Sequence, residues 1–276
     1  MQKKEFSDWL VVSDIDGTLN NKYRRTVKAN IDAAAKFTES GGNFTIASGR
    51  GLQSALKIYN KFDTKTPFIF LNGAGIYDNE NKKLLSFQSI TGKGQAVVFD
   101  IAERYSSVEL ALHTHNMIYL IKPSIFGKSF TFIDKLSHKK CDSLFEVPRG
   151  DWGKVTMFGK KRFITEINNF VNSSNDYEVK AVLTSPFTVE IISSSVDKGV
   201  AVKKLAEIMG IKMSHTAAIG DYYNDIDMLK TVAVSASCRK APKEVKAVSK
   251  YCACDADKGA VADFLQYLTK SYINKK

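Results

Sequence analysis

Cysteine pairs, long apolar runs and low-complexity tracts are what this sequence lacks. Its 4 cysteines, Cys141, Cys238, Cys252 and Cys254, form no CxxC pair, so neither a zinc knuckle nor a disulfide framework is indicated. Cys252 and Cys254 read as two ordinary thiols rather than a ligand set. No apolar run approaches the roughly 18 residues that suggest a membrane span. The opening MQKKEFSDWLVV has neither the apolar stretch nor the small-residue cleavage site of a signal peptide. These absences predict a reducing, cytoplasmic setting and no membrane partner. Prolines number only 5, and neither an internal repeat nor a low-complexity linker marks a domain boundary.

What is present suits a globular chain: 276 residues, 44% hydrophobic and 25% charged, enough for one large domain or two modest ones. The charge is less even. Lys and Arg outnumber Asp and Glu by 40 to 29, a net of +11. From Ile121 to Phe163 ten basic residues stand against four acidic ones. One reading is a solvated basic face; another is a field that draws in small anionic substrates. Nucleic acid is also attracted by such surfaces. It is the weaker candidate, because the aromatic residues of this segment follow helix and strand periodicity rather than forming a stacking platform.

Two patterns alternate along the chain. WLVVSD, FTIAS and FIFLNG read as strands, separated by the helices TVKANIDAAAKFTES, stopped by Gly41-Gly42, and GLQSALKIYNKF. Near the end VDKGVAVKKLAEIMG and NDIDMLKTV read as helices around the strands HTAAIGD and VAVSAS. This order predicts a Rossmann-like, doubly wound parallel sheet, an α/β fold, with ligand sites beyond the carboxyl ends of the strands. The middle differs. After a hairpin, IYDNENKKLLSF, come the helix GKGQAVVFDIAERY, the strands VELALHTH and MIYLIK, and a helix over SIFGKSFTFIDKLSH. KVTMFG, a helix through RFITEINNFVN, and the strands EVKAVL and TVEIIS come next. Strands adjacent in sequence predict an inserted antiparallel α+β unit over 88–187, with the core formed by 1–87 and 188–276.

Four polar clusters fall where core strands end. Asp14 and Asp16, in DIDGT, are two apart in an extended segment and so point the same way. Their repulsion calls for a cation, and Mg²⁺ takes such hard oxygen ligands. Gly17 turns the backbone and Thr18 adds a hydroxyl; a surface turn would use the same residues. Ser48, Gly49 and Arg50 open a helix, where a hydroxyl and free N–H groups suit a phosphate or simply cap it. Lys198 sits near a helix start, where a cation opposes the helix dipole and calls for an anionic partner. Asp221, Asn224 and Asp225, in GDYYND, again gather carboxylates after an apolar strand.

Taken in order, DIDGTL, ASGR, the lysine at a helix start and GDYYND closely resemble the haloacid dehalogenase superfamily of phosphatases. LNGAGIYD matches a segment of its Cof-like, sugar-phosphatase branch. The resemblance spans residues 8–87 and 188–276. It implies that Asp14 is the nucleophile that forms an aspartyl-phosphate and that Asp16 is the acid and then the base. It also implies Mg²⁺ held by Asp14, the backbone carbonyl of Asp16 and Asp221, with Asn224 and Asp225 orienting that shell. Thr18, Ser48, Gly49 and Lys198 would bind the phosphoryl group, and Arg50 and Asn72 would touch substrate or cap.

An acid at Asp16 argues against carbon–halogen cleavage. The 150 residues from Ser48 to Lys198 place the inserted cap between the second and third motifs. That counts against phosphoglucomutase-type relatives, whose cap comes after the first, though a phosphomutase stays a rival. Phosphotransfer to another acceptor and a binding protein without turnover remain the rivals. The expected partner is a small phosphorylated metabolite, and the chain a monomer or small homo-oligomer. Ser235, Ala236 and Ser237 replace the GNA-like turn usual after the fourth motif. His113 and His115 would share one face of a cap strand, as packing, substrate-contacting or metal-binding groups.

Overall fold

The computed structural model describes residues 6–123 and 136–273. The chain divides into two compact units. One comprises the residues up to Arg50, Ala55–Leu85 and those from Asp197 onward; the other comprises Gly51–Ser54 and Ser86–Val196.

The first unit is built on a five-stranded sheet. Its strands include β1 (Leu10–Ser13) and β2 (Asn43–Ile46). β3 (Phe68–Phe70), β4 (Gly75–Asp78) and β5 (Lys83–Phe87) form a separate three-stranded sheet. All four residues of β1 are buried, as expected of a central strand covered on both faces, which needs a continuous apolar run rather than alternation. FIFLNG, expected within the parallel sheet, is joined to it only by a single parallel bridge, Ala47 to Ile69. β3 also pairs antiparallel with β4 through Phe68–Tyr77 and Phe70–Gly75. Gly75 is needed there, since a side chain would strike the Phe70 ring.

The second unit carries β6 (Glu109–His113), β7 (Ile118–Ile121), β8 (His138–Cys141), β9 (Lys154–Phe158), β10 (Val179–Ser185) and β11 (Thr188–Ser193). They form one sheet in the order β10-β11-β9-β6-β7-β8. Its pairs are antiparallel except β7 with β8, which is parallel. Alternation divides each strand's residues between two faces. Leu110, Leu112, Val155, Met157, Val189 and Ile191 form a core with Val97, Val98 and Ile101 of helix Gly92–Arg104 and Ile164 and Ile167 of helix Lys161–Val171. The boundary lies later than the expected 187/188: β11 pairs with both β10 and β9, so it belongs to this sheet and the unit runs to Val196. The helix expected over SIFGKSFTFIDKLSH lies outside the described residues except at its end, where His138 opens a strand the sequence did not reveal. Lys139 and Lys140 stand exposed on that edge strand, a charge pattern that discourages edge-to-edge pairing.

The remaining strands, β12 (Thr216–Gly220), β13 (Val234–Cys238) and β14 (Tyr251–Ala253), complete the first sheet in the order β14-β13-β12-β1-β2. Helix Lys28–Glu39 packs with Ala260–Leu268, and Lys198–Ile208 with Ile226–Thr231. Register positions the polar clusters. β1 runs parallel to β12 with Ser13 opposite Ile219, so the residues just beyond the two strands become neighbours.

Candidate active site

Asp14 comes directly after β1, and its N–H donates to the Ile219 carbonyl at 2.9 Å. The Gly220–Asp221 turn is thereby brought beside it. Lys198 opens its helix after the N-cap Asp197, whose Oδ1 accepts from Val200 N–H at 2.8 Å. The Lys198 ammonium is fully buried and lies 2.6 Å from Asp14 Oδ1 and 2.6 Å from Asp225 Oδ1. The anionic partner that the helix dipole calls for is thus two carboxylates. Asp225 uses its other oxygen as well: Oδ2 accepts from the N–H groups of Asp221 (2.9 Å) and Tyr222 (3.1 Å). A carboxylate so fully engaged fixes the 221–225 turn and the lysine together.

Two carboxylates contact the ammonium and a third, Asp221, lies beside them, and the imbalance shows in their acidities. Burial, with the charges of Asp225 and Asp221, pushes the Asp14 carboxyl well above the usual carboxylate range against the pull of Lys198. Burial and Asp225 likewise push Asp221 up to about 6. Burial opposes the Lys198 charge, but Asp14 and Asp225 outweigh it and raise its basicity. Ligand oxygens of Asp14, Asp221 and Asp225 all lie within 4.8 Å of one another. An all-oxygen, net-negative donor set of this kind fits a hard divalent cation. With both Asp225 oxygens taken, Asp14 and Asp221 are the carboxylates with capacity to ligate.

Asp16 stands apart. Arg50 grips it bidentately, Nε to Oδ2 at 2.7 Å and an Nη to Oδ1 at 2.6 Å. The Asp16 side chain is half exposed while Arg50 is 14% exposed. Burial alone would raise the Asp16 carboxyl, but Arg50, with Arg24 and Lys198, holds it below the usual range. Arg50 was expected to touch substrate or cap; here its guanidinium is turned onto the second aspartate of the first motif.

Thr18 is buried, and its hydroxyl donates to Asp221 Oδ1 at 3.1 Å. Gly17 has φ 86° and lies against the Asp221 carboxylate, which any Cβ there would strike. Ser48 Oγ accepts from Arg50 N–H at 3.1 Å, which leaves the hydroxyl proton to be given elsewhere. Gly49 and Asn72 touch, and Asn224 Nδ2 donates to Asn72 Oδ1 at 3.2 Å. Leu71, fully buried at φ 51°, precedes Asn72 at φ 56°; a left-handed conformation costs such side chains about 1–2 kcal/mol each. Nothing in the sequence marks Leu71 for this.

Two further expectations change. Ser235, Ala236 and Ser237 lie within β13 rather than in a turn. Cys238, which ends the strand, points Sγ at Thr18 Oγ1 (3.8 Å), and burial, then Asp221, pushes its thiol up. His113 and His115 do not share a strand face: β6 ends at His113. His113 Nε2 is 3.3 Å from Thr156 Oγ1, while His115 Nδ1 is 2.9 Å from Asp151. Among the described residues no metal cluster includes either histidine.

A profile of haloacid dehalogenase-like hydrolases matches residues 11–265. The chain is 25% identical to a phosphoglycolate phosphatase of Methanospirillum hungatei, over 88% of each sequence. Its fold is similar to that of a haloacid dehalogenase-like hydrolase from Bacteroides thetaiotaomicron (TM-score 0.85, 20% identity, 94% of this chain and 99% of that one). It is also similar to that of BT4131, a sugar phosphatase of haloacid dehalogenase subclass IIB (TM-score 0.79, 20% identity, 94% and 98%). With a family profile matched over 11–265, the chain belongs to the haloacid dehalogenase-like hydrolase family, as a Cof-like phosphatase.

Proposed function

We propose that the protein is a Mg²⁺-dependent phosphatase that hydrolyses a small phosphorylated metabolite, a sugar phosphate by preference, through an aspartyl-phosphate. The observation that carries this reading is the buried Asp14–Lys198–Asp225 chain beside Asp221, with 2.6 Å contacts on both sides of the ammonium. A buried cluster with excess negative charge is costly in a merely structural role and suits a site that handles a cation and a phosphoryl group. The similarity to a phosphoglycolate phosphatase and to a sugar phosphatase supports the substrate class.

Asp14 attacks phosphorus, forming the O–P bond as the ester oxygen leaves. Asp16 delivers the proton to that oxygen. It then takes one from the water that cleaves the aspartyl-phosphate, releasing inorganic phosphate. Since Arg50 engages both Asp16 oxygens and favours the ionised carboxylate, Asp16 must leave Arg50 and take up a proton from solvent before it can act as the acid. Ser48 and Lys198 hold phosphoryl oxygens, with the Gly49 backbone close by. Thr18, hydrogen-bonded to Asp221, orients that carboxylate. Mg²⁺, held by Asp14, Asp221 and the Asp16 carbonyl, would neutralise charge on the transferring group.

Phosphate release from an aryl phosphate, with Mg²⁺ or EDTA, tests the reading in wild type and Asp14→Asn. Release that needs both the metal and Asp14 is expected, together with selective turnover of sugar phosphates in a panel. An isomerised ester without free phosphate would instead identify a mutase.

A further inference from the structure

The Leu71–Asn72–Gly73 turn reaches two other loops of the first unit. Its three residues all take positive φ, at 51°, 56° and 106°. Leu71 N–H donates to the Arg50 carbonyl and Asn72 N–H to the Ser48 carbonyl, each at 2.9 Å. These bonds stitch the turn to the loop that carries Ser48. The Asn72 side chain points the other way in the network: its Oδ1 accepts from Asn224 Nδ2 at 3.2 Å. The same oxygen lies so near Gly49 that a Cβ there would come within 2.8 Å of it. One residue thus touches the second, third and fourth strand-end loops.

We propose that Asn72 is a positioning residue that spaces the Ser48 loop from the 221–225 turn and sets the orientation of the Asn224 amide. The inference rests on the phosphatase reading. Glycine would serve better if the position only had to turn the chain, because it takes positive φ without strain. Asparagine tolerates the conformation and adds an acceptor. With one Asn224 N–H committed to Asn72, the orientation of the amide is fixed, which is how Asn72 would act on a cation held by Asp14 and Asp221. A group that orients a metal shell in this way affects affinity without being a ligand.

The test is Mg²⁺ binding by calorimetry, with melting temperature recorded alongside, for Asn72→Gly, Asn72→Asp, Asn224→Ala and the Asn72→Gly/Asn224→Ala pair. Asn72→Gly keeps the backbone conformation and is expected to melt as wild type does while binding Mg²⁺ about tenfold more weakly. Asn72→Asp keeps an acceptor oxygen and is expected to bind more tightly than the glycine variant. The double variant should bind no more weakly than Asn224→Ala alone, since coupled residues are not additive. Unchanged Mg²⁺ affinity in Asn72→Gly, or losses that multiply in the double variant, would overturn the proposal. Wild type that binds Mg²⁺ yet releases no phosphate would sink the phosphatase reading alone, because the Mg²⁺ comparison would still decide the role of Asn72. Wild type that binds no Mg²⁺ would overturn both.

Discussion

Each unit buries a lysine against carboxylate, and the two arrangements differ in their balance. In the second unit Lys154, 4% exposed, meets Glu190 at 2.5 Å. His113, Thr156 and Glu190 complete the patch: His113 lies opposite Lys154 and Thr156 opposite Glu190 in the register. A cation there meets an anion, and burial, helped by Lys154, pushes His113 well below its ordinary value, so it stays neutral. In the first unit Lys198 faces Asp14 and Asp225, with Asp221 beside them. A matched pair can be a structural element. A cluster left with surplus charge needs something from outside, and the raised Asp14 and Asp221 carboxyls mark that need.

The contrast is most exposed at Asp14. Asp14→Asn keeps an oxygen that accepts from Lys198 but removes the proposed nucleophile and one of the crowded charges. Phosphate release should fall by about 10⁴-fold or more, while the melting temperature without added metal stays level or rises. A clear loss of stability would show that the charges are matched after all.

In the second unit the expected effect is on folding. Lys154→Met leaves the largely buried Glu190 without its cation and should cost about 3–5 kcal/mol in denaturant unfolding. Lys154→Met/Glu190→Leu should recover most of that. If the double variant is as unstable as the single, the patch is more than a matched pair.

Metal separates the two clusters from the other side. At a Mg²⁺ concentration of about 100 Kd the wild type should gain about 2.7 kcal/mol, seen as a raised melting temperature. Asp221→Asn should show little of this gain, and Lys154 variants all of it.

The smallest effect concerns His113. The folded state holds this imidazole neutral, whereas the unfolded chain takes up a proton near pH 6.5. The contribution is therefore fully present above pH 6.5 and lost as pH falls below it, by up to about 1.4 kcal/mol per pH unit. Lowering the pH from 7 to 5.5 should cost wild type more stability in denaturant unfolding than it costs His113→Gln.

Much of the site was legible because its residues sit at strand ends, where short apolar runs stop at a carboxylate or hydroxyl. Asp14, Ser48 and Asp221 are each announced that way. The need of Lys198 for an anionic partner came from the helix dipole alone. Contacts made by side chains far apart in sequence were not legible: Arg50 reaching Asp16, Thr18 donating to Asp221, Cys238 behind Thr18. Nor was the fate of β11, since a strand read in isolation does not say which sheet will pair with it. His138–Cys141 escaped because a lysine-rich edge strand has little apolar periodicity.

Because β1 lies between β2 and β12, the active site can be completed only late in synthesis. β2 is made soon after β1, but β12 begins only at Thr216. At a synthesis rate of about 5–20 residues per second, Asp14, the proposed nucleophile, waits for its neighbouring carboxylate through most of translation. The nascent chain can build strands of the second unit long before that, yet it holds no complete catalytic cluster until Asp225 has left the ribosome.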